Sequence, residues 1–235
     1  MRAAFQIICW LLPPSRLKNA ILRRFGHRIA GSARIGPTIV LGVRRFEIAE
    51  NVVISPGNAF KSLSYVRLDK HVLFGSWNWI TAAPLFQQVD PQAGTLIMEE
   101  GATLTSRHYL DATGTIVMKP YARIGGGRAY IQTHEPDFDN FRIAAGRIEI
   151  GDHSLVGTCA VMLKGAVLPD RSVLGANSTM LAGDDRRPGL YVGSPAKWRR
   201  EVTGEYFVAT DYYTYDYVID APMGEQPAAT EERTG

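Results

Sequence analysis

The chain is short of cysteine, of bilayer-length apolar runs and, in its first part, of any negative charge. Cys9 and Cys159 are the only cysteines and lie far apart, so no disulfide framework holds the protein together, and the usage fits a reducing cytoplasm. For Cys159, a packed or semi-exposed thiol is a better reading than a nucleophile. The apolar stretch from Ala3 to Leu12 falls short of the roughly 20 residues that span a bilayer, and no convincing cleavage site precedes Pro13 and Pro14. Not one acidic residue precedes Glu47, against nine basic side chains from Arg2 to Arg45. From Glu201 onward the balance reverses, with Arg233 alone against eight acidic side chains. This polarity points to an anionic partner for the N-terminal segment, with a phospholipid surface or a neighbouring acidic tail ahead of nucleic acid, because no interleaved aromatic and basic motif accompanies the charge.

What the chain does have is a count of six. Ile150, Val156, Met162, Leu168, Leu174 and Met180 carry the large apolar side chain, and Ser154, Ala160, Ala166, Ser172 and Ser178 follow four places after the first five. A helix repeats apolar residues at three and four, and a half-buried strand alternates in twos, so a strict six fits neither. It fits a solenoid of short strands and sharp corners, with one large side chain per six pointing inward and a small residue at the crowded corner. Gly151, Gly157 and Gly175 come directly after the aliphatic, where the backbone is expected to turn. Fainter hexads begin at Ile48, Leu68, Met98 and Met118, which starts the solenoid near Ile35. Two segments interrupt it, Ala82 to Gly94 and Glu135 to Arg147, and their Pro, Asp, Gly and Asn mark them as loops rather than strands.

One domain with two appendages follows: a helical leader at 1–30, the repeat at 31–200, and an aromatic and acidic arm with a disordered tail at 201–235. In the leader, Ser15 is a plausible cap for a helix that ends near Gly26, with Leu17, Ile21, Leu22 and Phe25 on one face and Lys18, Arg23 and Arg24 around it. It suits capping of the open first coil, and residues 1–28 also suit peripheral contact with a membrane surface. In the arm, Tyr213, Tyr215 and Tyr217 alternate as in an extended segment laid on the coil, and residues 223–235 have a disordered composition.

At the run from Ile150 to Gly157, the segment from Leu163 to Ser178 and the exit from Tyr191 to Lys197, the chain resembles the hexapeptide-repeat acyltransferases, over roughly Ala33 to Arg200. The resemblance implies an all-β solenoid, the left-handed parallel β-helix, in a homotrimer with active sites between subunits. It also implies an acyltransferase with acetyl-CoA as acyl donor and no metal. The acceptor would be a sugar hydroxyl of a cell-surface polysaccharide or its precursor, with an amino sugar or a small-molecule acceptor as the alternative within the class. A zinc-dependent lyase of the carbonic-anhydrase type uses the same coil but calls for a pair of histidines five apart plus a third upstream, and the five histidines here are widely separated. A non-catalytic scaffold is the remaining alternative.

Acyl transfer to a hydroxyl needs a base, donors for an oxyanion and a slot for the pantetheine arm. Histidine, with an unperturbed pKa of roughly 6.5, is the natural base. His134 follows Thr133 where the hexad breaks, and the resemblance puts the catalytic histidine at such a break. Whether Tyr130 or Ile131 points inward there is open from counting. Asp137 is the favoured carboxylate partner among Glu135, Asp137 and Asp139. His108 and Asp111, one coil earlier, are candidates for acceptor binding, with Asp111 also a candidate orienter of the base. His153 reads as solvated or between subunits. For coenzyme A, the small residues Gly157, Ala160, Ala166, Gly175 and Ser178 would let an extended arm lie along the coil corners. Lys164, Arg186, Arg187, Lys197 and Arg200 are the cations available for its phosphates, with Lys164 and Lys197 favoured and Lys197 the one the resemblance carries over best. The chain departs from the resembling pattern after the last hexapeptide, where Leu181 to Arg187 carries two aspartates and two arginines.

Overall fold

The computed structural model describes residues 2–210. The repeat forms a three-sided coil of short strands. Two parallel sheets of seven strands and one of nine run along its length, and each turn of the chain visits all three. The register places Ile48 beside Leu68, Leu68 beside Met98, Met98 beside Met118, Met118 beside Ile150 and Ile150 beside Leu168. The hexad aliphatics therefore stack into an internal column. Val156, Met162, Leu168 and Leu174 are fully buried, each on a two-residue strand. The coil begins earlier than expected, at the strand Arg28–Ile29, which pairs with Arg45–Ile48.

The corners explain the hexad, with one correction. At most corners the residue three places after the inward aliphatic takes the left-handed backbone conformation: Asn51, His71, Tyr121, His153, Cys159, Arg171 and Asn177 all have φ between 50° and 61°. The turn is made there, while the small residue one place further on, Ser154, Ala160 or Ser172, is fully buried. Gly151 and Gly157 do not make the turn. A Cβ on Gly151 would run into the backbone of Asp170, and one on Gly157 would sit 2.8 Å from Ala176 N, so these glycines are required by the close passage of the next coil.

A polar ladder runs up one corner. Asn58 Oδ1 accepts from Asn78 N at 2.8 Å and Asn78 Oδ1 accepts from His108 N at 2.9 Å. His108 Nδ1 in turn accepts from Ala129 N at 3.1 Å. Each buried side chain thus satisfies a backbone N–H that the turn would otherwise orphan.

The open end of the coil is closed by two helices, α1 (Arg2–Leu11) and α2 (Arg16–Arg24). Ser15 caps α2 by accepting from Lys18 N at 3.1 Å. The buried face of α2 is rotated from the one expected: Lys18, Asn19 and Leu22 turn inward, while Leu17 is 70% exposed. Carbonyl oxygens of the first coil and of the end of α1 decide this. Lys18 Nζ lies within hydrogen-bond distance of four carbonyl oxygens, those of Trp10, Leu12, Ile35 and Gly36, at 2.7 to 3.1 Å. Asn19 Nδ2 donates to Ala30 O and Ala33 O. Trp10 plugs the apolar centre, 4.7 Å from Phe46, and Phe60 and Phe74 continue the aromatic stack. At the far end, Leu190–Gly193 and Ala196–Arg200 close the coil as an antiparallel hairpin.

The two interruptions differ from plain loops. Residues 82–94 contain a 3-10 turn at Pro84–Gln88, and after Thr133 the chain forms an antiparallel hairpin, His134–Asp137 with Arg142–Ala145. His153 is buried instead of solvated, stacked on Tyr121 at 4.6 Å with Nε2 3.1 Å from Ala209 O. Tyr206 and Phe207 lie in a 3-10 turn. The expected alternation at Tyr213, Tyr215 and Tyr217 lies outside the described residues.

Candidate functional site

The parallel pairing of Tyr109–Asp111 with Tyr130–Gln132 settles the frame at the break. Ile131 points into the core opposite Leu110, and Tyr130 points out, stacked on Tyr109 with ring centroids 5.0 Å apart. Trp79 stands in register beside Tyr109, so the outer face of this sheet carries an aromatic row. Burial, with Tyr109 and Asp111 alongside, pushes the Tyr130 phenol up.

Thr133 ends the coil and aims the residue that follows. It is fully buried, its Oγ1 donates to Asp111 O at 2.8 Å and accepts from Gly114 N at 2.7 Å, and its own N–H reaches Asp111 O at 3.2 Å. His134 then leaves the coil with Nδ1 2.9 Å from Asp111 Oδ2. The approach is close but short of a well-aligned hydrogen bond, as unliganded active sites often show. Asp111 is itself fixed, since its Oδ1 accepts from Thr113 N at 2.9 Å. The His134 side chain is 30% exposed, and among the described residues Nε2 has no hydrogen-bond partner. The pair sits in a shallow groove of about 320 Å³ lined also by Lys61, Trp79, Thr81 and Tyr109. The hairpin beyond is tied down by Glu135, 3.1 Å from Lys164 Nζ.

The structure brings His134 and Asp111 together and places the other sequence-derived candidates elsewhere. Asp137 stands at the hairpin tip, its Oδ2 2.7 Å from Arg142 Nε and both oxygens bonded to Asn140, which hold its carboxyl below the usual range. His108 is 2% exposed, with Nε2 2.8 Å from Thr105 Oγ1 and Nδ1 spent in the corner ladder. Burial pushes its pKa down to about 4, so it is a neutral structural imidazole with no face for an acceptor. Ala160, Ala166 and Ser178 point into the core, Gly157 abuts the next coil and Lys164 pairs with Glu135. Their side chains do not line a slot, because the small hexad position is the inner corner and not the outer one. Of the two cations favoured for coenzyme A, Lys197 alone is exposed without an ion pair among the described residues.

Sequence reasoning missed Lys61 and Trp79 as groove residues. Lys61, Thr81, Asp111 and Gln132 form one outward row across four paired strands, but the coils between them differ in length, so only the pairing reveals it.

No family model matches the chain, and no curated protein matches its sequence. Among solved structures, the polysialic acid O-acetyltransferase OatWY superposes with a TM-score of 0.54 at 16% identity, covering 76% of this chain and 89% of that one. A point mutant of the N-acyltransferase AntD from Bacillus cereus, in complex with dTDP and coenzyme A, gives 0.46 at 14% identity over 78% and 89%. A maltose O-acetyltransferase from Clostridium difficile 630 gives 0.31 at 12% over 80% and 75%. The likeness to OatWY is one of fold, and it identifies the coil as a left-handed parallel β-helix.

Proposed function

We propose that this protein is an acyl-CoA-dependent O-acyltransferase, most simply an acetyltransferase, acting on a sugar hydroxyl of a cell-surface polysaccharide or its precursor. The observation that carries the reading is the His134–Asp111 pair at the rim of an open groove: Asp111 faces Nδ1, and Nε2 is left free toward solvent. In this chemistry His134 Nε2 takes the acceptor's hydroxyl proton as the oxygen attacks the thioester carbonyl. Asp111 stabilises the imidazolium that forms, and the tetrahedral intermediate expels the coenzyme A sulfur, which receives the proton back from Nε2. No covalent enzyme intermediate is needed. Asp111 takes the orienting role first assigned to Asp137. The fold shared with an O-acetyltransferase supports the class.

Coenzyme A is the donor in this reading, with Lys197 as a cation for its phosphates. The outward row of Ile39, Trp79 and Tyr130, each at least 39% exposed, supports a homotrimer that covers this face, and a monomer by light scattering with full activity would overturn that assembly. We place the protein in the cytoplasm, at the inner face of a membrane, with residues 1–28 as its peripheral contact. No helix among the described residues is long and apolar enough to cross a bilayer. The test of the reaction is transfer from acetyl-CoA to a panel of sugars and oligosaccharides, read by mass spectrometry. Transfer to a hydroxyl that is lost in His134→Ala is the expected result, and the absence of transfer and of thioester hydrolysis with every acceptor and acyl-CoA would sink it.

A further inference from the structure

A helix that caps a coil needs one apolar stripe, and its solvent side is normally polar. Helix α1 breaks that rule. Cys9 and Trp10 are buried against the coil, and the one polar side chain between Ala4 and Leu12, Gln6, turns aside to His27, its Nε2 2.8 Å from His27 Nε2. What remains outside is apolar: Phe5 is 54% exposed, Ile8 57% and Leu11 46%, and the row continues through Leu12 to Leu17 at the start of α2. At 100° per residue, Ala4, Phe5, Ile8, Leu11 and Leu12 fall on one continuous arc of the helix. The capping function uses the opposite arc, so it does not account for this one.

The surroundings of this face are mainly basic, with Glu47 of the neighbouring strand paired to Arg28 at 3.4 Å and to Arg45 at 2.8 Å. Arg16, Arg23, Arg24, Arg28 and Arg34 are exposed at the same end of the molecule, and no acidic residue precedes Glu47. Lys18 is buried in its carbonyl cage and adds nothing to the surface. A second copy of the chain docking end to end would bring two predominantly basic surfaces together, which is repulsive. An anionic lipid surface offers both partners at once, headgroup charge for the arginines and an acyl boundary for the apolar row. Ten residues of helix make about 15 Å, half the hydrocarbon thickness, so α1 can lie in the interface and cannot cross it.

We propose that the outer face of the N-terminal cap docks on an anionic phospholipid bilayer, with Phe5, Ile8, Leu11 and Leu17 at the acyl boundary and Arg16 and Arg24 among the headgroups. This narrows the membrane contact stated above to a lipid class and a set of residues, and it stands independently of the catalytic chemistry.

The test is flotation of the full chain with vesicles of phosphatidylcholine and phosphatidylglycerol in equal parts, against phosphatidylcholine alone, at low and high salt. Binding to the anionic vesicles is expected, roughly tenfold weaker on the neutral ones and at high salt. The double variant Ile8→Ser, Leu11→Ser and the single variant Leu17→Ser should each bind less while keeping the wild-type melting curve, since all three side chains are on the surface. Arg16→Gln with Arg24→Gln should lower binding to anionic vesicles only. Because these sites lie away from the groove, thioester turnover in the absence of vesicles should not change. Failure of the wild type to float with anionic vesicles overturns the proposal, as does equal flotation of every variant. Loss of an end-to-end oligomer in Ile8→Ser, Leu11→Ser without any vesicle binding would show a protein contact and also overturn it.

Discussion

Asp111 and His134 meet at 2.9 Å although they belong to successive coils, because the strand Tyr109–Asp111 pairs in register with Tyr130–Gln132 and brings the end of one under the exit of the next. Thr133 locks that exit from below through Asp111 O. The carboxylate is therefore positioned by the coil itself, and the imidazole by the coil's exit together with the hairpin that begins at His134, whose backbone pairs with Ala145.

If this pair is the catalytic base and its orienter, His134→Ala lowers turnover by roughly 10²- to 10⁴-fold with coenzyme A binding near wild type. Asp111→Asn keeps the fold and loses about 10- to 10³-fold, mainly in kcat. Steady-state kinetics and calorimetric titration of coenzyme A check both. Asp111→Asn with wild-type turnover would make the contact incidental, and Asp137→Asn is expected to leave turnover within about twofold of wild type, as befits a residue bonded to its own hairpin tip.

His108 stands on the rung that Asn58 and Asn78 occupy in the coils before it. His108→Ala orphans the Ala129 N–H and should cost about 1–3 kcal/mol of stability, read as a fall in Tm, with turnover of the folded fraction little changed. His108→Asn should recover part of the loss, because an amide oxygen can accept from the next coil as Asn78 does. If His108→Ala leaves Tm unchanged but raises KM for the acceptor, His108 is an acceptor contact after all.

Acid should destabilise the protein through the same buried imidazoles. Burial lowers the pKa of both His27 and His108 to about 4, against roughly 6.5 in the unfolded chain. Above pH about 6.5 both states are neutral and these groups contribute no pH dependence; as pH falls toward about 4 the unfolded chain takes up two protons that the native state refuses, so stability declines with a slope of up to two protons. Urea unfolding between pH 7 and pH 4 should show that slope, and His108→Asn should remove about half of it. A flat profile across that interval would contradict the buried, neutral assignment.

Lys18 joins the helical cap to the coil through four carbonyl oxygens. Burial lowers its pKa to about 8. Lys18→Met keeps the length of the side chain and removes every donor, leaving those carbonyls short of a partner, and should cost on the order of 2–4 kcal/mol. Hydrogen exchange should rise first in α2 and in the first coil around Ile35, and not in the hexads beyond Ile150. Uniform protection in the variant would mean that Trp10 and Leu22 hold the cap without the lysine.

The hexad was legible because it is a local signal. Each inward aliphatic is six residues from the next, the corner fixes that spacing, and a reader can count it, so Val156, Met162, Leu168 and Leu174 could be placed in the core from the sequence alone. His134 could be marked for a similar reason, as the place where the count fails. What could not be counted was whatever depends on two coils passing each other. The coils before Ile150 carry insertions of unequal length, so the rows that join Asp111 to His134, or Asn78 to His108, exist only once the strands are paired. The glycines after the aliphatics look like turn residues in the sequence and prove to be clearances for the neighbouring backbone. Helix α2 shows the limit most plainly: its hydrophobic pattern favours burying Leu17, yet the coil end exposes carbonyl oxygens that need donors, and the cost of leaving them unpaired turned Lys18 inward instead.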